Sequence, residues 1–165
     1  MPIMSSIRRA AITGLFLLLV AAPARADITA FIGTSTTPDN RLTRGFAVGT
    51  GLLIIGFEFE YMNTREDVDA VQPAPSLKTG MGNVLLQTPF PVLGFQPYFT
   101  TGAGIYSETL GAHEDTSLGF NTGGGVKVNL VGPLRLRLDY RVFKLGSDAL
   151  YSPSHRFYAG LNLKF

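Results

Sequence analysis

The chain has 165 residues, enough for one domain, and a formal net charge of +2, too small to argue for a nucleic-acid partner. It contains no cysteine, which excludes disulfides, thiolate metal sites, thiol catalysis and lipid attachment through an N-terminal cysteine. Glycine is abundant at 19 residues, prolines cluster between apolar segments, and past the N-terminus no run is long and apolar enough for a membrane helix.

The first segment reads as a leader. Arg8 and Arg9 form a basic n-region, residues 10–22 make a short apolar run closed by Pro23, and Ala24-Arg25-Ala26 is a small-x-small cleavage site. The run is too short for a spanning helix. Residues 1–26 are therefore expected to be a cleaved signal peptide, and 27–165 an exported domain.

Eight candidate strands follow. The first, 27–33, has an ambiguous pattern in which either Phe31 or Ile32 could face outward. After a polar loop comes 44–52, where Phe46, Val48 and Thr50 alternate with Ala47, Gly49 and Gly51. A tight connection at Leu53 and Ile54 leads to 55–64, where Ile55, Phe57, Phe59 and Tyr61 alternate with Gly56, Glu58, Glu60 and Met62. A longer polar loop containing Glu66, Asp67 and Asp69 precedes the fourth strand, 77–87, whose Val84-Leu85-Leu86 run breaks the alternation and leaves its facing open.

The fifth strand, 95–107, puts Gly102, Gly104 and Tyr106 on one face and Phe99, Ala103 and Ile105 on the other. Residues 108–115 read as a loop. In the sixth strand, 116–130, Leu118, Phe120, Val126 and Val128 face one way, and Asn121, Gly123, Gly125, Lys127 and Asn129 the other. The seventh, within 133–145, has the clearest alternation: Leu134, Leu136, Leu138, Tyr140 and Val142 against Arg135, Arg137, Asp139 and Arg141. About ten residues, apolar on one side and charged on the other, match a tilted bilayer crossing. A long surface strand of a soluble sheet is the alternative reading of this stretch alone. Residues 146–153 form the last loop and 155–165 the last strand.

In chain order the connections read long, short, long, medium, long, short, long. Short turns at one end and longer loops at the other suit an up-and-down transmembrane barrel, with both termini on the periplasmic side. The last strand carries Phe157, Ala159, Leu161, Leu163 and Phe165 on one face. A terminal aromatic preceded by apolar residues at every second position resembles the assembly signal of outer-membrane barrel proteins, here Phe157, Leu161, Leu163 and Phe165. With residues 44–51 (RGFAVGTG), 57–61 (FEFEY) and the closing YAGLNLKF, the stretch 27–165 resembles the small outer-membrane β-barrel family, similar to the OmpA-type transmembrane domain. The resemblance implies an eight-stranded antiparallel barrel in the outer membrane of a Gram-negative-type bacterium. It implies outer-membrane lipid, lipopolysaccharide and the barrel-assembly machinery as partners of a monomer. Because OmpA-type proteins carry a peptidoglycan-binding domain that this chain does not show, cell-wall tethering is not carried over.

An eight-stranded barrel has an interior that side chains can fill. The third and seventh strands lie on opposite walls, so Glu58 and Glu60 are expected to meet Arg135, Arg137, Asp139 and Arg141 across the lumen. Lys127 and Lys164 add charge from the strands beside the seventh, and inward glycines (Gly49, Gly51, Gly102, Gly104, Gly123, Gly125) leave the room. Buried charges must pair, so the network is expected to close the lumen; a hydrated path lined by the same groups is the competing reading.

The two histidines, His113 and His155, are poor candidates for a catalytic base. Ser154 and His155 are adjacent and so point to opposite faces, while Ser152 sits beside Pro153 in a loop. No catalytic site, cofactor or metal is expected, and the acidic loop groups (Glu66, Asp67, Asp69; Glu114, Asp115) read as solvated charges. The expected function is a non-enzymatic structural or surface-exposed barrel. A small-solute pore is the alternative, and a lipid-modifying enzyme a more distant one.

Overall fold

The computed structural model describes residues 25–165. The expected leader lies outside the described residues except for Arg25 and Ala26, which already belong to a strand. Eight strands are present: β1 (Arg25–Ser35), β2 (Arg41–Leu52), β3 (Ile55–Thr64), β4 (Ser76–Gln87), β5 (Phe95–Leu110), β6 (His113–Val131), β7 (Leu134–Lys144) and β8 (Ser154–Lys164). Each pairs antiparallel with its sequence neighbours, and β8 pairs back onto β1, giving a closed up-and-down barrel. Closure leaves the sheet no free edge, so main-chain donors and acceptors are satisfied around the ring.

Alternation decides the faces. On β3, Ile55, Phe57, Phe59 and Tyr61 are exposed, and Gly56, Glu58, Glu60 and Met62 are buried. On β7, Leu138 and Tyr140 are exposed while Arg135, Arg137, Asp139 and Arg141 are buried. Apolar side chains thus point out and charged ones point in, the reverse of a soluble fold. The two strands of open facing resolve by the same rule. Ile32 turns outward and Phe31 inward, where its ring stacks on Tyr158 with centroids 4.1 Å apart. Val84 and Leu86 face out, and Leu85 is buried in the lumen.

The connections differ from expectation at two places: the first loop shortens to 36–40 because β1 runs on to Ser35 and β2 begins at Arg41, and the hairpin between β5 and β6 tightens. Residues 108–115 are not a loop: β5 and β6 pair on to Leu110 and His113, leaving only residues 111–112 as the turn. Gly111 has φ +58°, the left-handed conformation that such a tight reversal requires and that a side chain would oppose. Alternating polar residues (Ser107, Thr109, Glu114, Thr116) continue the strands; β5 stays paired with β4 as far as Thr109, while β6 runs on past the end of its pairing with β7 at Phe120. The connections 36–40, 65–75 and 145–153 share one end with the 111–112 turn; the turns 53–54 and 132–133 and the connection 88–94 lie at the other with the chain ends, so the expected separation of short from long connections holds only in part.

The lumen is filled in tiers. Towards the long loops, Phe31, Met62, Leu77, Met81, Tyr106, Phe143, Leu145 and Tyr158 form a buried apolar and aromatic cluster. Charged side chains occupy the middle, and a small cavity opens at the end holding the chain ends.

Candidate functional site

The middle tier is built from β3, β7 and β8. Arg137 donates to both oxygens of Glu58, with Nη2 at 3.2 Å from Oε1. Arg141 Nη2 donates to Glu58 Oε1 at 2.9 Å, and its Nη1 lies 3.4 Å from Glu60 Oε2. Arg156 grips both oxygens of Glu60 at 2.8 and 3.1 Å. Asp139 sits among the three guanidinium groups, 3.2 Å from Arg137, 3.0 Å from Arg141 and 3.7 Å from Arg156. Three arginines therefore face three carboxylates, all essentially without solvent exposure. Two planar forks holding carboxylates by paired bonds make a rigid crosslink between opposite walls.

Aromatic rings frame this tier. Tyr98 donates to Asp139 Oδ2 and accepts from Arg137 Nε at 2.8 Å, and its ring lies under the Arg137 guanidinium at 4.8 Å. Arg156 lies over Phe31, Phe143 and Tyr158 at 5.2, 4.9 and 4.9 Å. The inward glycines provide the space. A Cβ on Gly125 would come 2.6 Å from Tyr98 Oη, and one on Gly123 would come 3.0 Å from Arg141 Cγ.

The expected network is therefore two clusters. Glu58, Glu60, Arg137, Asp139 and Arg141 gather as expected, but Arg135 does not reach the glutamates. It donates to Asp27 Oδ2 at 3.1 Å, Gln96 Oε1 at 3.0 Å and Asn162 Oδ1 at 2.8 Å. Lys127 Nζ donates to the same Asp27 oxygen at 2.7 Å. Lys164 lines the cavity at this end, half-buried. Arg135 lies two residues nearer the chain-end mouth than Arg137, so its nearest carboxylate is on β1. Arg156, Asp27 and Tyr98 were not singled out in the sequence. For Arg156 a signal existed, since alternation puts Arg156 on the face of Tyr158; Asp27 was hidden by the ambiguous facing of the first strand.

The loop end has a third polar group. Arg41 is buried and donates to the carbonyls of Pro75 and Thr37, tying the 36–40 and 65–75 connections together. Glu108 is buried and accepts the Leu150 amide at 2.8 Å, docking the 145–153 connection on the β5–β6 hairpin. Burial pushes its carboxyl above the ordinary glutamate range, with the Leu150 amide opposing.

Ser154 faces the lumen, 3.3 Å from Ser35 Oγ, whereas His155 faces outward, its Nδ1 2.8 Å from Tyr140 Oη. Ser152 Oγ is engaged with the backbone of Leu145. Of the acidic loop groups, Glu66 accepts the Gly111 amide at 3.3 Å and Asp115 accepts the Tyr106 hydroxyl. Among the described residues, no three His, Asp or Glu side chains gather as a metal site. Phe157, Leu161, Leu163 and Phe165 all lie exposed on the outer wall.

The sequence matches no protein-family model and no curated protein. Solved structures share the architecture. The N-terminal β-barrel domain of Pseudomonas aeruginosa OprF aligns with a TM-score of 0.62 at 14% identity, over 86% of this chain and 97% of that one. Neisserial surface protein A (NspA) aligns at 0.63 and 18% identity, over 86% and 96%. The Yersinia pestis outer membrane protein Ail aligns at 0.52 and 15% identity, over 86% and 99%. The outer membrane enzyme PagL has the same fold at a TM-score of 0.50 and 13% identity, over 84% and 98%. At these identities the likeness is one of fold: a closed, eight-stranded, antiparallel barrel of the outer-membrane type.

Proposed function

We propose that the chain is a non-enzymatic integral outer-membrane protein of a Gram-negative-type bacterium, of the OmpA-type barrel class, with a structural or surface-exposed role. The observation that carries this reading is the inversion of polarity across the wall. Exposed Ile, Leu, Val and Phe side chains cover the outside, and arginines and glutamates fill the inside. Exposed in water, so extensive an apolar surface would drive aggregation; in lipid it is the favourable face. Strands of 10 to 12 residues, such as β2, β3, β4, β7 and β8, suffice to cross the hydrocarbon layer at a tilt.

In this reading the connections 53–54, 88–94 and 132–133 face the periplasm, and 36–40, 65–75, 111–112 and 145–153 face outward. The outer wall contacts membrane lipid and lipopolysaccharide as a monomer. The row Phe157, Leu161, Leu163 and Phe165 serves as the mark read by the assembly machinery. No cofactor is required. The outward histidine and inward serine at 154–155 offer no nucleophile–base pair, which favours a non-enzymatic role.

Arg137, Arg141 and Arg156, matched by Glu58, Glu60 and Asp139, close the lumen, which argues for a plug over a small-solute pore. The test is twofold. The folded protein should partition with the outer membrane and migrate differently in SDS before and after boiling. Purified protein in a planar bilayer should show no steady conductance. Recovery in the soluble periplasm would refute the membrane reading, and sustained conductance would favour the pore.

A further inference from the structure

The outer wall carries its charge at one end. Among the described residues, the strand cations that face away from the lumen are Arg44 on β2, Lys78 on β4 and Lys144 on β7, all exposed and all towards the connections 36–40, 65–75 and 145–153. Arg44 and Lys78 belong to one row. Arg44 pairs across with Asn63 on β3, and Asn63 with Lys78 on β4. Two strand spacings, roughly 10 Å, separate the backbones of Arg44 and Lys78, a gap their long side chains can close over Asn63. Neither side chain makes a hydrogen bond or ion pair among the described residues. The acid on the same face, Glu114, is opposite Thr109 beside the 111–112 turn and outside this row.

One step nearer the middle of the wall, the same three strands present Phe46, Tyr61 and Gly80, with the two rings 5.8 Å apart between centroids. Aromatic rings below and cations above match the interface of a bilayer, where rings sit at headgroup depth and cations reach the phosphates. Beneath Lys78, β4 turns Gly80 and Gly82 outward, between Tyr61 and Phe59 on β3 and Ile105 and Ala103 on β5. A Cβ on Gly80 would meet nothing closer than Phe59 at 3.9 Å, and one on Gly82 nothing closer than the Ala103 carbonyl at 3.8 Å. The space over both is open, so an apolar furrow runs down the wall from the basic row. Cations at the lipid boundary are answered by lipid phosphate, and an arginine fork suits its oxygens.

We propose that Arg44, Asn63 and Lys78 bind the phosphate headgroup of an anionic lipid whose acyl chain lies in the furrow over Gly80 and Gly82. This rests on the membrane reading above. Fractionation and the heat shift test that reading by themselves, so the lipid site can fail while they succeed.

The test is native mass spectrometry of the folded barrel, released from uncharged maltoside micelles that carry either phosphatidic acid or diacylglycerol with the same acyl chains. One saturable phosphatidic acid per barrel is expected, and no saturable retention of diacylglycerol. Lys78→Gln and Arg44→Gln should each weaken binding about tenfold, the loss of one charge-assisted contact, while Lys78→Arg retains it. Lys144→Gln removes an outward cation at the same end of the opposite wall and should leave the affinity unchanged. Gly82→Leu fills the furrow without touching the charges and should also weaken binding. The unboiled gel shift confirms that each variant is folded. Absence of saturable binding, equal retention of diacylglycerol, parental affinity in folded Lys78→Gln, or an equal loss in Lys144→Gln would overturn the proposal. Parental affinity in folded Gly82→Leu would reduce the row to a site for phosphate alone and overturn the lipid assignment.

Discussion

Arg137 on β7 and Glu58 on β3 come from opposite walls of the barrel and meet inside it, the guanidinium engaging both carboxylate oxygens. The pair is completely buried, and Arg141 shares the same glutamate. A buried ion pair of this kind is costly to form and more costly to break, because the surviving charge has no water to turn to.

Removing both β3 carboxylates, Glu58→Ala with Glu60→Ala, should therefore destabilise the barrel by about 3–5 kcal/mol per broken pair, less whatever water entry recovers. Arg137, Arg141 and Arg156 would be left with Asp139 alone. The variant should unfold at lower denaturant concentration than the parent and acquire a conductance that favours anions. Unchanged stability together with unchanged conductance would show that these carboxylates do not close the lumen.

Gly125 tests how closely the interior is packed. Its added methyl would stand 2.6 Å from Tyr98 Oη and press on the Leu138 carbonyl, in a cross-strand contact where only backbone now fits. Gly125→Ala should displace Tyr98 from Asp139 and Arg137, costing about 1–3 kcal/mol through overpacking and lost hydrogen bonds. Tyr98→Phe should lose the hydrogen-bond part of that cost alone. The two denaturation midpoints, measured side by side, check the ordering; a Gly125→Ala variant as stable as the parent would contradict it.

Phe165 lies on the outer wall at the end of the row Phe157, Leu161 and Leu163, and its amide donates to Ala26 O at 2.8 Å. Deleting Phe165 should lower the amount of folded barrel in the outer membrane without reducing export. Fractionation and the unboiled gel shift report the two separately. Normal assembly would remove Phe165 from the signal.

Glu108 gives a pH dependence whose sign can be worked out. Burial raises its folded-state pKa above the unfolded value, so the protonated form is the one the fold favours. The stability linked to this group is fully present below the unfolded pKa and is lost as pH rises through the raised one. Glu108→Gln keeps an acceptor for the Leu150 amide and carries no charge. At pH 8 it should be more stable than the parent, and the difference should shrink as the pH falls towards 4. A difference independent of pH would show that Glu108 ionisation is not linked to docking of the 145–153 connection.

Period-two alternation was enough to read the number of strands, the inward faces of β2, β3 and β7, and the pairing of polarity with side of the wall. The reason is local: successive side chains on a strand point to opposite faces, so charge on one face and apolar groups on the other settle which side is lumen. Where both faces are apolar, as at Phe31-Ile32 or Val84-Leu85-Leu86, alternation is silent. There the lumen neighbours decided, Tyr158 stacking on Phe31 and leaving Ile32 for the outer face. The extension of β5 and β6 was hidden because residues 108–115 are mostly polar and carry no alternation of apolar and polar side chains. Partner choice was also beyond sequence. The stagger of the closed sheet sets the height at which each side chain enters the lumen. That height gives Arg135 to Asp27, Arg137 to Glu58 and Arg156 to Glu60.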